Sequence, residues 1–442
     1  LCIDKTSRTL RWVIDGDVVV DGDSLFVSRF RAAEVLVVDA TGAVTARHSP
    51  PGFSSGTVRS NARFAPTVAW RMIPRGKGTV MLVHQRSLQD PVPTGPPAVV
   101  SPSGGSYYGA EGFSRCPSGV VHTSVTTMGS GGYAGGGPVL TGAVLPVDVA
   151  LDRDGRIAVA AAGNAFNADP GVFVVRADAG SDDCDFPVVN TGYLQGQQVV
   201  AVTWVDSLIV AQTRFPTGLQ VINEERRTTT TLFSESAERE DSGHQIFHAN
   251  SSAGLACASC HPEGGDDGHT WKFQDVGERR TQYLRGGVLG TAPFHWSGDL
   301  GNFDDLYEEV MLNRMAGPEL PSEHVDALGR FINQLPAVHG ATPADPGAVE
   351  RGQTLFAGAA GCASCHSGAL HTDNKSADVG TGDSFQVPAL VDLAVRTGFL
   401  HNGCAEGLAA RFGPCGGGDR HGHVSQLDAR QMADLIAYLE TL

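Results

Sequence analysis

The stretch "LACASCH" at 255–261 returns as "GCASCH" at 361–366, and each copy opens one half of an internal duplication. Upstream, "GHQIFHANSSAGLACASCH" (243–261) matches "GQTLFAGAAGCASCH" (352–366). Downstream, "LRGGVLGTAPFHWSG" (284–298) matches "LVDLAVRTGFLHNG" (390–403). Each half closes on apolar residues at helical spacing. The first is "SEHVDALGRFINQL" (322–335), with Ser322 as cap and Pro336 after it; the second is "SQLDARQMADLIAYLETL" (425–442). Residues 240–336 and 347–442 therefore read as two related modules in tandem, joined by the Pro-rich "HGATPADPG" (339–347).

Before residue 235 the texture is different. Short β-branched runs such as "GDVVVDGDSLFVSRF" (16–30), "GRIAVAAAG" (155–163) and "QQVVAVTWVDSLIVAQ" (197–212) alternate with Gly, Pro and Asp turns, which predicts antiparallel strands. One phrase recurs: strand, gap, strand, turn. It is found at 24–44, at 207–228 and, with a longer gap, at 156–180. The phrase resembles the YVTN-type β-propeller repeat; about five blades fit before residue 235, an incomplete ring that residues missing at the start would complete, with a β-sandwich as the alternative. The stretches "SPSGGSYYGAEG" (101–112) and "TMGSGGYAGGGP" (127–138) read as loops of such blades. The fold expected is multidomain: an N-terminal all-β propeller over 1–236, then an all-α tandem of cytochrome-c-like modules over 237–340 and 341–442.

Composition narrows the function. The chain has 442 residues, 41% hydrophobic and 18% charged, with a net charge of −16. That excess of acid argues against nucleic acid as a partner, since phosphate contacts need clustered Lys and Arg. No apolar run is long enough for a transmembrane helix. The chain opens on Leu1, and a removed export leader is expected before it. Nine cysteines are present; Cys404 and Cys415 bracket a Gly-rich loop and suit a local disulfide, while Cys116 and Cys184 could form another, leaving Cys2 odd.

Cys-x-x-Cys-His is the attachment sequence of c-type haem. Each thiol adds to a vinyl group, and the adjacent His is placed to ligate the iron. A zinc site would not require His directly after the second Cys in both copies, and a thioredoxin-type pair expects a βαβ context without duplication. Two covalently bound haems are expected, one on Cys257, Cys260 and His261, the other on Cys362, Cys365 and His366. Attachment of this kind takes place outside the cytoplasmic membrane, so a periplasmic or cell-surface location in a bacterium is expected.

The C-terminal half also resembles the bacterial dihaem cytochrome c peroxidase and MauG family. The resemblance rests on the two attachment strings, on "APFHWSGDLGNFDDLYEEV" (292–310) and on "FQVPALVDLAVRTGFLHNG" (385–403). It implies that one haem reacts with hydrogen peroxide, that the other is six-coordinate and relays electrons, and that a Trp lies between them. Trp296 matches that Trp, and the His261 haem would be the peroxide site. Acid–base help in cleaving peroxide would fall to Glu308, Glu309 or Glu319, or to His295, which could instead be a sixth ligand. For the second haem the family's sixth ligand lies where this chain has "CGGGDRHGHVS" (415–425). His421 is the expected ligand there, with His423 and His401 as alternatives. His244, His248, His269, His324, His339 and His371 are assigned no role. Calcium, which the family binds between its modules through an Asn, is doubtful because Arg280 stands at that position.

The resulting expectation is a dihaem oxidoreductase that draws electrons from a redox partner: a small cytochrome, a copper protein or a protein substrate. The alternative is a dihaem electron carrier without peroxidase activity, its propeller serving as a docking or ligand-binding module.

Overall fold

The structure, a computed structural model, describes residues 2–3, 10–11, 16–21, 24–54, 62–93, 119–140, 142–165, 169–178, 191–234, 241–251, 253–338, 340 and 343–442. The stretch 101–112, Cys116, Cys184 and His339 lie outside the described residues. The chain divides into two compact units, one formed by Leu1–Pro262 with Leu312–Glu319, the other by Glu263–Met311 with Leu320–Leu442.

The first unit begins with a short hairpin of β1 (Cys2–Ile3) and β2 (Leu10–Arg11). Four antiparallel meanders follow. The first sheet holds β3 (Val18–Asp21), β4 (Ser24–Arg29), β5 (Glu34–Val38) and β6 (Val44–His48). The second holds β7 (Phe53–Ser54), β8 (Arg63–Gly76), β9 (Thr79–Leu88), β10 (Val121–Gly129) and β11 (Gly132–Leu140). The third contains β12 (Pro146–Leu151), β13 (Arg156–Ala161), β14 (Val172–Arg176) and β15 (Thr191–Tyr193); the fourth contains β16 (Gln198–Val205), β17 (Leu208–Phe215), β18 (Thr217–Asn223) and β19 (Thr228–Ser234). Each sheet packs on the next through its first long strand, β3 on β8, β8 on β12 and β12 on β16. Because β9 is covered on both faces, its sequence is a buried run rather than an alternation. Met81 and Val83 face a core with Ile157, Val159 and Phe173, while Val80 and Leu82 join Phe26, Val35 and Val37. Two helices complete this unit, α1 (Ser242–His248) and α2 (Cys257–Cys260).

Carboxylates tie successive sheets together. Asp17 accepts the Met72 amide of β8 at 2.6 Å and pairs with Arg71 at 2.6 Å. Asp148 on β12 accepts the Val202 amide of β16 at 2.9 Å and pairs with Arg71 Nε at 3.0 Å. Arg71 thus joins three sheets through two acidic side chains.

The expected propeller is corrected on two points. Among the described residues the sheets do not close into a ring, and the region read as about five blades holds four meander sheets, the second five-stranded, besides the β1–β2 hairpin. The repeated phrase encodes a meander, which is local; closure depends on pairing between first and last sheets, for which a repeat carries no signal. The stretch 127–138 is the hairpin end of β10 and β11 rather than a free loop.

The second unit is not all-α, which corrects the other half of the expected fold. It contains the hairpins β20–β21 (Thr270–Phe273, Gly277–Arg280) and β22–β23 (Ser376–Asp378, Ser384–Gln386). The alternation Trp271-Lys-Phe273, followed by Gly277 at φ +76°, is a hairpin signal lying between the helical stretches. The helices are α3 (Phe303–Leu306), α4 (Ser322–Gln334), α5 (Pro346–Ala357), α6 (Leu408–Arg411) and α7 (Ala429–Leu439). Ser322 is the first residue of α4, not its cap; Pro321 holds that position and offers no side-chain acceptor. In α7, Asp428 and Gln431 form a reciprocal capping box. Helices α5 and α7 approach so closely at Gly352 that a Cβ there would lie 2.0 Å from the Asp434 carbonyl. Arg351 clamps the pair with two bonds to the Asp434 carboxylate, at 2.7 and 2.8 Å.

Asp148→Ala should lower the stability of the β unit by about 1–3 kcal/mol, because it leaves the Val202 amide without its acceptor. Arg71→Met breaks only partly exposed ion pairs and should cost about 0.2–1 kcal/mol. Thermal unfolding of both variants checks the ranking; equal losses would show that the ion pairs, not the amide acceptor, hold the sheets.

Candidate functional site

In both attachment strings the histidine amide donates to the carbonyl of the first cysteine, His261 to Cys257 and His366 to Cys362, at 2.9 Å each. The first string forms α2. The second forms a 3-10 turn, Cys362–Ser364, entered through Gly361 at φ +70°. Burial pushes the Cys257 thiol up to about 12 and raises that of Cys362. The four string cysteines are not joined in disulfides. Cys404 and Cys415, by contrast, form the expected local disulfide, with Cα atoms 6.4 Å apart.

Around the second string the fold assembles an imidazole pair. The rings of His366 and His421 have centroids 6.4 Å apart and planes 28° apart. Their Nδ1 atoms point at carbonyls, His366 at His371 (3.0 Å) and His421 at Gly416 (3.2 Å). A carbonyl can only accept, so Nδ1 carries the proton in each ring and Nε2 keeps its lone pair. Two imidazoles bound to one metal through Nε2 at about 2 Å would have centroids about 6 Å apart, so the pair fits a single iron. Burial, with Arg411 and His366 nearby, pushes His421 down to about 3, and burial also lowers His366. Both rings are neutral, as ligands must be. Arg411 donates to the His421 carbonyl, and desolvation lowers its own pKa to about 10. A poorly solvated guanidinium beside Cys362 suits a cofactor edge that carries carboxylates. The residues present therefore fit a c-type haem.

Of the two alternatives to His421, His401 packs among aromatic rings and His423 lies beside the second string. His401 stacks on Phe385 with centroids 3.9 Å apart and meets Trp296 edge-on at 6.4 Å; burial pushes it down to about 4. His423 donates its amide to Ala360 at 2.9 Å, and its ring lies beside Gly361.

Trp296 donates its indole N–H to the Arg280 carbonyl at 2.8 Å. The guanidinium of Arg280 pairs with Asp266 at 2.8 Å and donates to the Gly268 carbonyl at 3.0 Å. A cation of the chain thus stands at the position where the family resemblance implied calcium. His295 has φ +66°, and its Nδ1 lies 3.3 Å from Asp299. Glu308, exposed, and Glu309, half-buried, lie on a π-helix spanning Tyr307–Arg314. Glu319 is exposed and belongs to the segment Leu312–Glu319, grouped with the β unit and the first string. Sequence reasoning missed Arg411, the carbonyls of His371 and Gly416, and Asp267. Backbone carbonyls leave no sequence signal. For Arg411 the hint was its place in the loop bracketed by Cys404 and Cys415.

No known family profile matches the chain. The methylamine utilization protein MauG of Methylorubrum extorquens is 27% identical over 264 residues, covering 43% of this chain and 73% of that protein. Among solved structures, hydrazine synthase of Kuenenia stuttgartiensis is similar over 45% of this chain and 86% of that one, with 24% identity and a TM-score of 0.41. The nidogen/laminin complex is similar over 49% and 61%, with 13% identity and a TM-score of 0.26. At those scores the structural likenesses carry no argument. By sequence, part of the chain is MauG-like.

Asp267 is wholly buried, accepting from Thr281 Oγ1 at 2.7 Å and the His269 amide at 3.0 Å, while its Oδ2 has no partner. Burial pushes its carboxyl from 3.8 up to about 7. The folded state therefore holds a proton that the unfolded chain releases, and stability should fall as pH rises from about 4 to about 7, then level off. Asp267→Asn should remove that slope and exceed the parent in stability at pH 8. Urea unfolding across this range checks it, and parallel profiles for the two proteins would reject the assignment.

Proposed function

We propose that the chain is a dihaem c-type oxidoreductase of MauG-like character, with one haem on Cys257, Cys260 and His261 and a second on Cys362, Cys365 and His366. The observation that carries this reading is the fit of the His366–His421 pair to one iron, beside the second of two identical attachment strings. The sequence likeness to MauG over part of the chain supports it. Each thiol would add its S–H across a vinyl double bond, sulfur to one carbon and hydrogen to the other, with no net oxidation. The bound haems would supply one-electron redox chemistry and, where one face stays open, reaction with hydrogen peroxide.

The chain's own residues set the terms of that chemistry. His421 would be the sixth ligand at the second site, and bis-imidazole ligation keeps the potential below that of a His/Met pair. Trp296, fixed by its bond to the Arg280 carbonyl, would relay electrons between the sites. His295, beside Asp299, would move protons, with Glu308, Glu309 and Glu319 as the carboxylate candidates for the same task. The electrons would come from a small cytochrome, a copper protein or a protein substrate, in the periplasm or at the cell surface. A pure electron carrier is the second reading, favoured by the closed His366–His421 pair. The two part at the first haem, which is high-spin and peroxide-reactive in one and low-spin in the other.

Replacing both Cys257 and Cys260 by Ala should lower the mass of the denatured protein by one haem and leave the other attached. A parent chain with no covalent haem by mass would end the reading. At the second site, His421→Ala should turn that haem high-spin in the ferric spectrum, whereas His401→Ala should not. An unchanged low-spin signal in His421→Ala would move the ligand to another residue.

A further inference from the structure

The two strings share Cys-Ala-Ser-Cys-His yet fold differently. In the first, Leu255, Ala256, Ala258 and Ser259 are at most 2% exposed; in the second, Ser364 is exposed and Cys362 and Ala363 are half-buried. The serine reverses its role with its surroundings. Ser259 Oγ accepts the Ala256 amide at 3.1 Å, whereas Ser364 Oγ donates to the Gly361 carbonyl at 2.7 Å. What differs is the neighbour. Gln85 of β9, itself 3% exposed, donates its side-chain N–H to the Ser259 carbonyl at 2.8 Å. That carbonyl belongs to the last turn of a helix, where no intrahelical donor is available. The register between β8 and β9 slips between Pro66 and Ala69, opposite Gln85, a bulge of the kind that re-aims a side chain. A second anchor precedes the string: the Asn250 amide donates to the Gly163 carbonyl at 2.7 Å, and its side chain to Asp169 at 3.2 Å. Both anchors belong to the β-sheet unit, one on strand β9 and one on the β13–β14 connection, and they hold the first string from within and from just before it.

We infer that the β-sheet unit is the template for the first haem attachment site, with Gln85 as the positioning residue that sets the Cys257–His261 turn. This rests on the covalent-haem reading above and extends it: the sheets are a structural wall of one haem site, not an appended module. The second string packs within its own unit. Its core is built by Phe356, Ala360, Leu435 and Tyr438, all from the C-terminal residues. The first haem should therefore be held fully, and at its parental potential, where Gln85 sets the turn, while occupancy and potential of the second should not depend on Gln85.

The test uses the full chain, expressed with haem-maturation machinery under limiting haem, and reads occupancy of each string by peptide mass. Gln85→Leu and the unbranched Gln85→Met remove the donor and keep the apolar volume. Each should lower occupancy at Cys257/Cys260 about fivefold or more, leaving Cys362/Cys365 as loaded as in the parent. In the fraction that does load, the midpoint potential of the first haem should shift while that of the second does not, a change that general loosening would not confine to one site. Thr123→Val is the control. Thr123 pairs with Gln85 across β9 and β10 and donates to the Ala143 carbonyl, so its loss weakens the same sheets without touching the string. Both haems should persist in it. Parental loading and unchanged potentials in the Gln85 variants, or an equal loss of first haem in Thr123→Val, would overturn the inference while leaving the function intact. A parent lacking haem on either peptide would instead sink the function, and this inference with it.

Discussion

Everything at the two candidate sites depends on one hydrogen bond, made twice: histidine amide to the carbonyl of the cysteine four residues earlier, 2.9 Å in each string. It closes a single helical turn. Within a turn, residues three and four apart share a face, so both thiols and the imidazole are brought to one side of a very short element. A residue inserted before the His would rotate its side chain by about 100° and separate it from the thiols. The spacing is therefore a geometric requirement, and the repeat of the spacing implies a repeat of the geometry.

A turn of four residues cannot hold itself together, because helix nucleation is unfavourable and a single bond does not offset the ordering of the backbone. Each string borrows its rigidity. The first lies against β9 in a unit whose sheets are locked by Asp17, Arg71 and Asp148. The second starts at a glycine in the left-handed region; the separate loop closed by the Cys404–Cys415 disulfide carries Arg411, which lies near Cys362 and donates to the His421 carbonyl. Identical pentapeptides thus reach similar ends through unlike supports. The more open second string and the more buried first are consequences of that difference.

The C-terminal helices, the local disulfide and the strands were legible in the sequence because each is a local pattern. Apolar spacing placed α4 and α7, and turn residues bounded β3 to β5. Closure of the β sheets was not legible, since nothing in a meander repeat states what its last sheet pairs with. The β20–β21 and β22–β23 hairpins were overlooked because they are three or four residues long and lie between stronger helical signals. At the site, His421 was singled out by resemblance and by the glycines around it. The carbonyls of His371 and Gly416, which set the tautomers, are backbone atoms and have no letter in the sequence. Gln85 lies far from its target along the chain and reads as an ordinary strand residue; only the fold brings it to Ser259.

Arg280 shows how a single buried charge can organise the region around Trp296. Its guanidinium is held by Asp266, the Gly268 carbonyl and Thr397, at 2.8, 3.0 and 3.4 Å. Its backbone does the rest: the carbonyl accepts from the Trp296 indole, and the amide donates to the His401 carbonyl. The ring of His401 then lies between Phe385 and Trp296. Two aromatic residues from different loops are thus oriented by the two main-chain groups of one residue, whose own position is fixed by an ion pair that both partners bury almost fully. Such a pair adds little net stability, because desolvation consumes most of the Coulombic gain, but losing one partner strands the other in a dry site. Its contribution is to position. A neutral residue at 280 could keep the same backbone bonds only if something else held the strand in register, and the short β20–β21 hairpin offers little for that. The charge at Arg280 is best understood as the fastener that makes the Trp296 indole a fixed point in this unit.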